Sequence, residues 1–201
     1  MNPISPETNR ALMAQRYDWA DEGDVPFTKQ KFAIIAVDPG ATCGIAIYCD
    51  GRFDSLQLPR RDAVVWIRGA VDGMEAQGVQ AVLVVERFTT GTSRRRAVTR
   101  QPEAEEVAGA LYDLSTERLL DLYRQSPADA KAFCLDDWLR RVEWYRPGQP
   151  HANDAARHLK LCLAKHFIGE FTRVHRGETV EMNRIEEPEE LRNRAAGVTP
   201  S

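Results

Sequence analysis

Two acidic side chains follow apolar runs that have the length and composition of buried strands. Asp38 follows the run Ala33–Val37, and Glu86 follows the run Ala81–Val85. Short apolar runs rich in β-branched residues are typical of strands inside a sheet. Because a carboxylate at the end of such a strand is costly to bury unpaired, we expect Asp38 to face a cation or a cleft open to water.

A third group of candidate residues lies at the start of the last predicted helix, residues 151–168. His151, Asp154 and His158 are spaced i, i+3 and i+7, which places them on one helical face. Two strand-end carboxylates and an Asp/His pair together form a ligand set suited to Mg²⁺ or Mn²⁺. We interpret His158 and also His166 as packing or surface residues.

These groups together predict a metal-dependent site that cuts nucleic acid. Two divalent ions about 4 Å apart can activate a water molecule and stabilise the leaving oxygen of a phosphodiester. In this interpretation Asp38 bridges both ions, with Glu86 and Asp154 on opposite sides. His151 is either a ligand or a group that handles protons.

Each of these side chains also has a purely structural interpretation. A lone aspartate after a strand often caps a turn, and Glu86 beside Arg87 is also typical of a surface ion pair. His151 and Asp154 could cap the helix that follows Pro150. It is the joint order and placement of the residues that favours the metal site.

The elements that position the two strand-end carboxylates are predicted in the order β-β-β-α-β. The corresponding residues are 32–37, 44–48, 52–58, 62–78 and 80–85. Asp50-Gly51 between the second and third strands is typical of a type I′ hairpin turn. The crossover is expected to bring the fourth strand alongside the first, so that Asp38 and Glu86 emerge at the same sheet edge.

The second half of the chain is predicted to be mainly helical. Its periodicity indicates a long amphipathic helix over residues 102–125 and a short helix over residues 136–145. Between them, residues 130–135 are predicted as a short strand. Residues 1–30 are interpreted as an N-terminal arm and residues 171–201 as a charged tail.

Composition limits the class of protein. The 201 residues, 43% of them hydrophobic, can form one sizeable core. The net charge of −3 excludes a uniformly basic nucleic-acid binder, so DNA contact requires a local basic strip. Residues 89–101 form such a strip, with four arginines and no acid, and we favour DNA binding there over the alternative of a solvated loop. The arginines are Arg94, Arg95, Arg96 and Arg100.

Cysteine spacing and hydropathy predict a cytoplasmic protein. The four cysteines show no CxxC spacing and are interpreted as reduced thiols of the core. No apolar stretch approaches the roughly 18 residues of a membrane span, so no membrane association is expected. The N-terminal segment is too acidic for a secretory signal.

The three motifs resemble those of RuvC-type Holliday junction resolvases, which belong to the RNase H-like superfamily. The matching segments are Val37-Asp38-Pro39-Gly40 with Gly44, Val84-Val85-Glu86-Arg87-Phe88, and His151-Ala152-Asn153-Asp154-Ala155. The resemblance covers about residues 32–168. It includes phage-encoded relatives, which often act on branched DNA more broadly.

The resemblance implies an α/β fold, a mixed five-stranded sheet flanked by helices, over an RNase H-like nuclease domain of residues 31–170. It implies that Asp38, Glu86 and Asp154 are metal ligands and catalytic residues, with His151 at a position where members have Asp or His. It further implies Mg²⁺ as cofactor, paired nicks in four-way junctions, and a homodimer formed through residues 103–125. The arginine strip lies where the family contacts DNA.

Two other function classes share part of this pattern with a nuclease. A non-catalytic module that binds branched DNA would have the same fold, but a cluster of acids without a metal would repel itself. An ATPase of the actin or sugar-kinase type also turns through an acidic residue after its first strand. It requires a second domain and a second glycine-rich phosphate loop, which this sequence does not show.

Overall fold

A computed structural model describes residues 31–87, 102–176 and 180–181. Within these ranges, the chain forms strands and helices around one sheet. The strands are β1 (Phe32–Asp38), β2 (Thr42–Cys49), β3 (Arg52–Pro59), β4 (Gln80–Glu86), β5 (Asp121–Gln125) and β6 (Val180–Glu181). The helices are α1 (Arg60–Ala76), α2 (Pro102–Arg118), α3 (Pro127–Phe133), α4 (Asp136–Arg141), α5 (Pro150–His166) and α6 (Ile168–His175). The predicted N-terminal arm and the arginine strip lie outside the described residues.

The strands form one mixed sheet in the order β5-β4-β1-β2-β3-β6. β2 pairs antiparallel with both β1 and β3, whereas β4 pairs parallel with β1 and β5 pairs parallel with β4. Five strands make up the main sheet, and the two-residue β6 adds a short parallel edge beside β3. The predicted α/β class, with a mixed five-stranded sheet flanked by helices, is confirmed.

The turn between β2 and β3 has the predicted hairpin geometry. Asp50 has a φ of 45° and Gly51 a φ of 81°. A type I′ turn requires positive φ at both central residues, and Asp-Gly is among the pairs that tolerate this best. The turn sets the register in which Cys49 faces Arg52.

Helices cover both faces of the sheet, and each face has its own hydrophobic cluster. We call the side covered by α1 and α2 the α1–α2 face; its cluster includes Ile35, Val37, Ile67 and Leu111. We call the other side the α5 face, on which α5 packs with its neighbouring helices. The members of that cluster include Ile34, Ala36, Val82, Val84, Trp138, Trp144 and Leu159. All four cysteines are buried and free, as predicted.

The helix predicted over residues 102–125 is wrong in its second part. α2 ends at Arg118, Leu119 has a φ of 54°, and the Leu120 N–H bonds back to Ser115 O at 2.8 Å. The chain then enters β5, where Leu122 pairs with Leu83 of β4. Pairing with a neighbouring strand outweighs the helical periodicity of this segment.

Two shorter predictions in this half also differ from the structure. The strand predicted over residues 130–135 is wrong, because α3 occupies Pro127–Phe133 and begins with a proline in its first turn. The helix predicted over residues 136–145 ends early, at Arg141, and Glu143 has a φ of 62°. At the other end of the predicted domain, α6 spans the boundary placed at residue 170. None of the helices described is long and apolar enough to cross a membrane.

Candidate active site

The carboxylates of Asp38 and Glu86 lie at the ends of neighbouring parallel strands. β1 and β4 pair in register up to Val37 and Val85, so the next residue of each strand stands at the same level. Because side chains alternate along a strand, Asp38 shares the α5 face with Ala36. The same alternation places Glu86 on that face, and the structure therefore brings both carboxylates to one sheet edge.

Helix α5 approaches this edge closely because β2 carries no side chain at Gly44. Gly44 pairs with Asp38 across the antiparallel ladder. A Cβ atom at Gly44 would lie 1.8 Å from the main-chain oxygen of His151, a separation that non-bonded atoms cannot adopt. The first turn of α5, which begins at Pro150, thus packs directly on the backbone of β2.

This packing brings His151 onto Asp38. Asp38 is 8% exposed, and its Oδ2 accepts a hydrogen bond from His151 Nδ1 at 2.9 Å. The side chain of His151 is 45% exposed, so its ring extends from the buried carboxylate toward solvent. With Nδ1–H donated to Asp38, Nε2 remains able to accept a proton or to bind a cation.

The surroundings of Asp38 disfavour the ionised form of its carboxyl. Burial raises the pKa of the Asp38 carboxyl to about 6, although the hydrogen bond from His151 acts in the opposite direction and lowers it. The negative charges of Glu86 and Asp154 raise the pKa further. A cation bound among these carboxylates would relieve their repulsion and favour their ionised forms.

Glu86 is hydrogen-bonded to His158, a second histidine of α5. His158 Nε2 lies 3.2 Å from Glu86 Oε2, and the His158 ring is almost fully buried. The other ring nitrogen, Nδ1, lies 3.1 Å from the side-chain amide of Gln125. Gln125 stands opposite Glu86 in the β4–β5 pairing, so the two residues and the helix meet at one level of the sheet.

Asp154 lies within electrostatic reach of Asp38, but its side chain is engaged by cations. Its Oδ1 accepts a hydrogen bond from Arg157 and its Oδ2 lies 3.1 Å from Lys131 Nζ. Arg157 also donates to Asp136, which ties α5 to α4. The alternative that His151 and Asp154 cap α5 does not fit their contacts, because His151 bonds to Asp38 and Asp154 lies beyond the first turn, paired with Lys131 and Arg157. A cavity of about 650 Å³ opens beside this group of charges.

The donor chemistry of the site fits a hard divalent cation, although the donors are not gathered around one point. Carboxylate oxygens and imidazole are ligands that Mg²⁺ and Mn²⁺ accept. The pKa of Asp38 is raised chiefly by burial and further by the charges of Glu86 and Asp154. Within residues 31–87 and 102–176, no group of three or more His, Cys, Asp or Glu side chains is arranged to hold a metal ion. Glu86 and Asp154 each bond to other side chains instead.

Arg94, Arg95, Arg96 and Arg100, the predicted DNA contacts, lie outside the described residues. Sequence reasoning missed two members of the site. His158 was interpreted as a packing or surface residue, although its spacing of seven from His151 already placed both on one helical face. Gln125 was missed because its segment was assigned to a helix, which concealed its strand alternation with the partly buried Tyr123.

Comparison with known proteins finds solved structures that resemble this chain only at low sequence identity and low TM-score. No protein-family model and no curated protein matches the chain. A structure of RuvC from Thermus thermophilus has a TM-score of 0.44 and 15% identity, covering 69% of this chain and 97% of that chain. T. thermophilus RuvC in complex with a Holliday junction substrate has a TM-score of 0.43 and 16% identity, covering 63% and 89%. At this similarity the function of the chain has to be inferred from its own residues.

Proposed function

We propose that this chain is a divalent-metal-dependent, structure-specific endodeoxyribonuclease that nicks four-way (Holliday) junctions and related branched DNA by hydrolysing phosphodiesters. One observation carries the proposal. Two carboxylates, Asp38 and Glu86, stand at the ends of adjacent parallel strands, and a single helix supplies each with a histidine. An acidic sheet edge of this kind is costly for a fold and suits a cation that binds a phosphodiester.

Asp38 and Glu86 would supply the principal oxygen ligands to Mg²⁺, with Mn²⁺ able to replace it. When bound, the metal lowers the pKa of a water molecule and stabilises the leaving oxygen. His151 would be a further ligand or would move a proton at its exposed Nε2, since Nδ1 is committed to Asp38. Asp154 would complete the set by exchanging its ion pairs with Lys131 and Arg157 for the metal.

The DNA and dimer contacts are also part of the proposal. Arg94, Arg95, Arg96 and Arg100 would neutralise backbone phosphates, which carries affinity without sequence readout. A homodimer would form through α2, which exposes 53% of Tyr112 at its surface. The protein would act in the cytoplasm, or in that of a host if a phage encodes it.

Cleavage mapping tests the proposal. Four-way junction, flap, fork and linear duplex DNA are incubated with the protein in Mg²⁺, in Mn²⁺ and in EDTA. We expect paired nicks in the junction in either metal, weaker cutting of other branched forms, and none in EDTA. Glu86→Gln should abolish cutting, whereas Asp50→Asn should not, because Asn suits the same hairpin turn. Equal cutting of linear duplex and junction would contradict structure specificity.

A non-catalytic module that binds branched DNA is the second candidate. It is favoured by the engagement of Asp154 with Lys131 and Arg157, which keeps that carboxylate from the other two. This candidate predicts tight junction binding and no nicks in any divalent metal. The same cleavage experiment, with junction binding measured in parallel, separates the two.

A further inference from the structure

A buried polar chain lies behind Glu86 in a cluster that is otherwise largely apolar. His158 is 1% exposed and Gln125 is 5% exposed, and Val84 and Leu159 belong to the same cluster. Polar groups removed from water must regain their hydrogen bonds inside the protein. Apolar side chains would fill these positions at lower cost, so the pair is better explained by what it does to Glu86 than by stability.

One orientation of the Gln125 amide satisfies the polar atoms around it. In that orientation the amide nitrogen donates to His158 Nδ1 at 3.1 Å and to the main-chain oxygen of His158 at 3.0 Å. The amide oxygen accepts from the Cys162 N–H at 3.2 Å. In the opposite orientation, the oxygen faces acceptors and the nitrogen faces donors. The amide is thereby fixed against one turn of α5.

The orientation of Gln125 decides which nitrogen of His158 carries the proton. Because Nδ1 accepts from the amide, it has no proton of its own, and the ring proton lies on Nε2. The Nε2–H then donates to Glu86 Oε2 at 3.2 Å.

We propose that His158 is a positioning residue for Glu86, held by Gln125 as its Nε2–H tautomer. In this arrangement His158 fixes Oε2 of Glu86, and Oε1 remains for a cation at the sheet edge. Hydrogen-bond donors that lie behind metal-binding carboxylates orient those carboxylates in many proteins. The inference rests on the proposed function, since it gives a purpose to the residues behind one of the two carboxylates.

The tautomer of His158 is measured directly, with no metal and no DNA. Long-range ¹H–¹⁵N correlation spectra of the wild-type protein at pH 7.5 report which nitrogen of each of the four histidines is protonated. We expect the ring proton of His158 to lie on Nε2, because the Gln125 amide donates to Nδ1. The isosteric change Gln125→Glu replaces the donor with an acceptor and should move a proton to Nδ1. A wild-type His158 protonated at Nδ1, alone or together with Nε2, would overturn the proposal.

Binding of Mn²⁺ to the protein without DNA tests the positioning of Glu86. We expect His158→Leu to weaken Mn²⁺ binding about 10- to 100-fold, measured by electron paramagnetic resonance of the free ion. His158→Gln places an amide N–H near the former Nε2 and should restore most of the affinity. His166→Gln, the matched control on the exposed end of α5, should bind as the wild type does.

The outcomes separate this inference from the proposed function. If His158→Leu is folded by circular dichroism and binds Mn²⁺ as tightly as the wild type, His158 does not position Glu86. If His158→Gln fails to restore affinity while the protein remains folded, the donor role is also wrong. A wild type that binds no Mn²⁺ and cuts no junction would remove the function itself, whereas the NMR spectrum decides the tautomer alone.

Discussion

The two faces of the sheet bury different kinds of side chain. The α1–α2 face has an apolar cluster, and its charges stand at the surface in ion pairs between helices, such as Arg68–Glu117 at 2.9 Å. The α5 face buries polar groups among its apolar ones, and these end at Asp38 and Glu86. Both faces belong to the same strands, so the difference comes from the alternation of side chains and from the helices that cover them.

The difference indicates which face holds the fold together and which one serves the site. Exposed ion pairs contribute little to stability, and the α1–α2 face therefore depends on apolar burial. On the α5 face, His158 and Gln125 occupy core volume in order to make hydrogen bonds. We therefore expect substitutions on the α1–α2 face to change stability alone and substitutions on the α5 face to change activity as well.

The largest effect is expected where α5 touches β2. In Gly44→Ala the new Cβ would meet His151 O, a main-chain atom that cannot rotate away. We expect the free energy of unfolding to fall by about 3 kcal/mol or more, with loss of activity because α5 moves off Asp38. Urea titration followed by circular dichroism measures the change.

The control for this variant is the same substitution on the other face. Gly109 lies in α2, and a Cβ there meets nothing within 4 Å. Because alanine is the better helix former, Gly109→Ala should be stabilising by up to about 1 kcal/mol. Equal stability of the two alanine variants would contradict the close approach of α5.

Leu111→Ala tests the α1–α2 face alone. Leu111 is 1% exposed within the apolar cluster, and its truncation leaves a cavity. We expect a loss of about 2–5 kcal/mol in the free energy of unfolding, measured in urea. Activity per folded molecule should stay at the wild-type level. A selective loss of cleavage in a fully folded sample would show that this face also serves the site.

Asp38→Asn is expected to stabilise the metal-free protein. The folded-state pKa of about 6 lies above the ordinary 3.8, so stability is lost as the pH rises from about 4 to about 6. Removing the charge should therefore raise the free energy of unfolding at pH 7.5 in EDTA by about 1–3 kcal/mol. Below pH 4 the two proteins should be alike. A wild type that is the more stable one at pH 7.5 would contradict an unfavourable buried charge.

The smallest effect is expected at the surface of the α1–α2 face. Arg68 lowers the pKa of Glu117 through a charge-assisted hydrogen bond, but both side chains are well exposed. Arg68→Gln should leave the melting temperature and the cleavage rate unchanged within error, at both low and high salt. A clear drop in the melting temperature at low salt would assign this ion pair a larger role.

The first half of the fold was predictable because its signals are local. Apolar runs, an Asp-Gly turn and one amphipathic helix led to β1 through β4 with small errors at the ends. The strand after Arg118 could not be predicted in this way. β5 forms because it pairs with β4, and the residues of β5 also carry a helical period. Because Gln125 was predicted to lie in a helix, its place opposite Glu86 in the sheet was not predicted.

Spacing and alternation predicted where Asp38 and Glu86 emerge, but not which groups bond to them. The i, i+7 spacing placed His151 and His158 on one face, and neither partner could be inferred without the register of α5 on the sheet. That register depends on the contact at Gly44, which no local pattern reveals. The engagement of Asp154 by Lys131 likewise comes from α3, whose helical state the sequence did not predict.

The most direct measurement compares cleavage and binding of one four-way junction by the wild type and Asp38→Asn. Single-turnover cleavage is followed in Mg²⁺, and junction affinity is measured on the same preparations in Ca²⁺. We expect Asp38→Asn to bind the junction as the wild type does and to cut it slower by on the order of 100-fold or more. If Asp38→Asn cuts as fast as the wild type, the carboxylate at the end of β1 is not part of an active site.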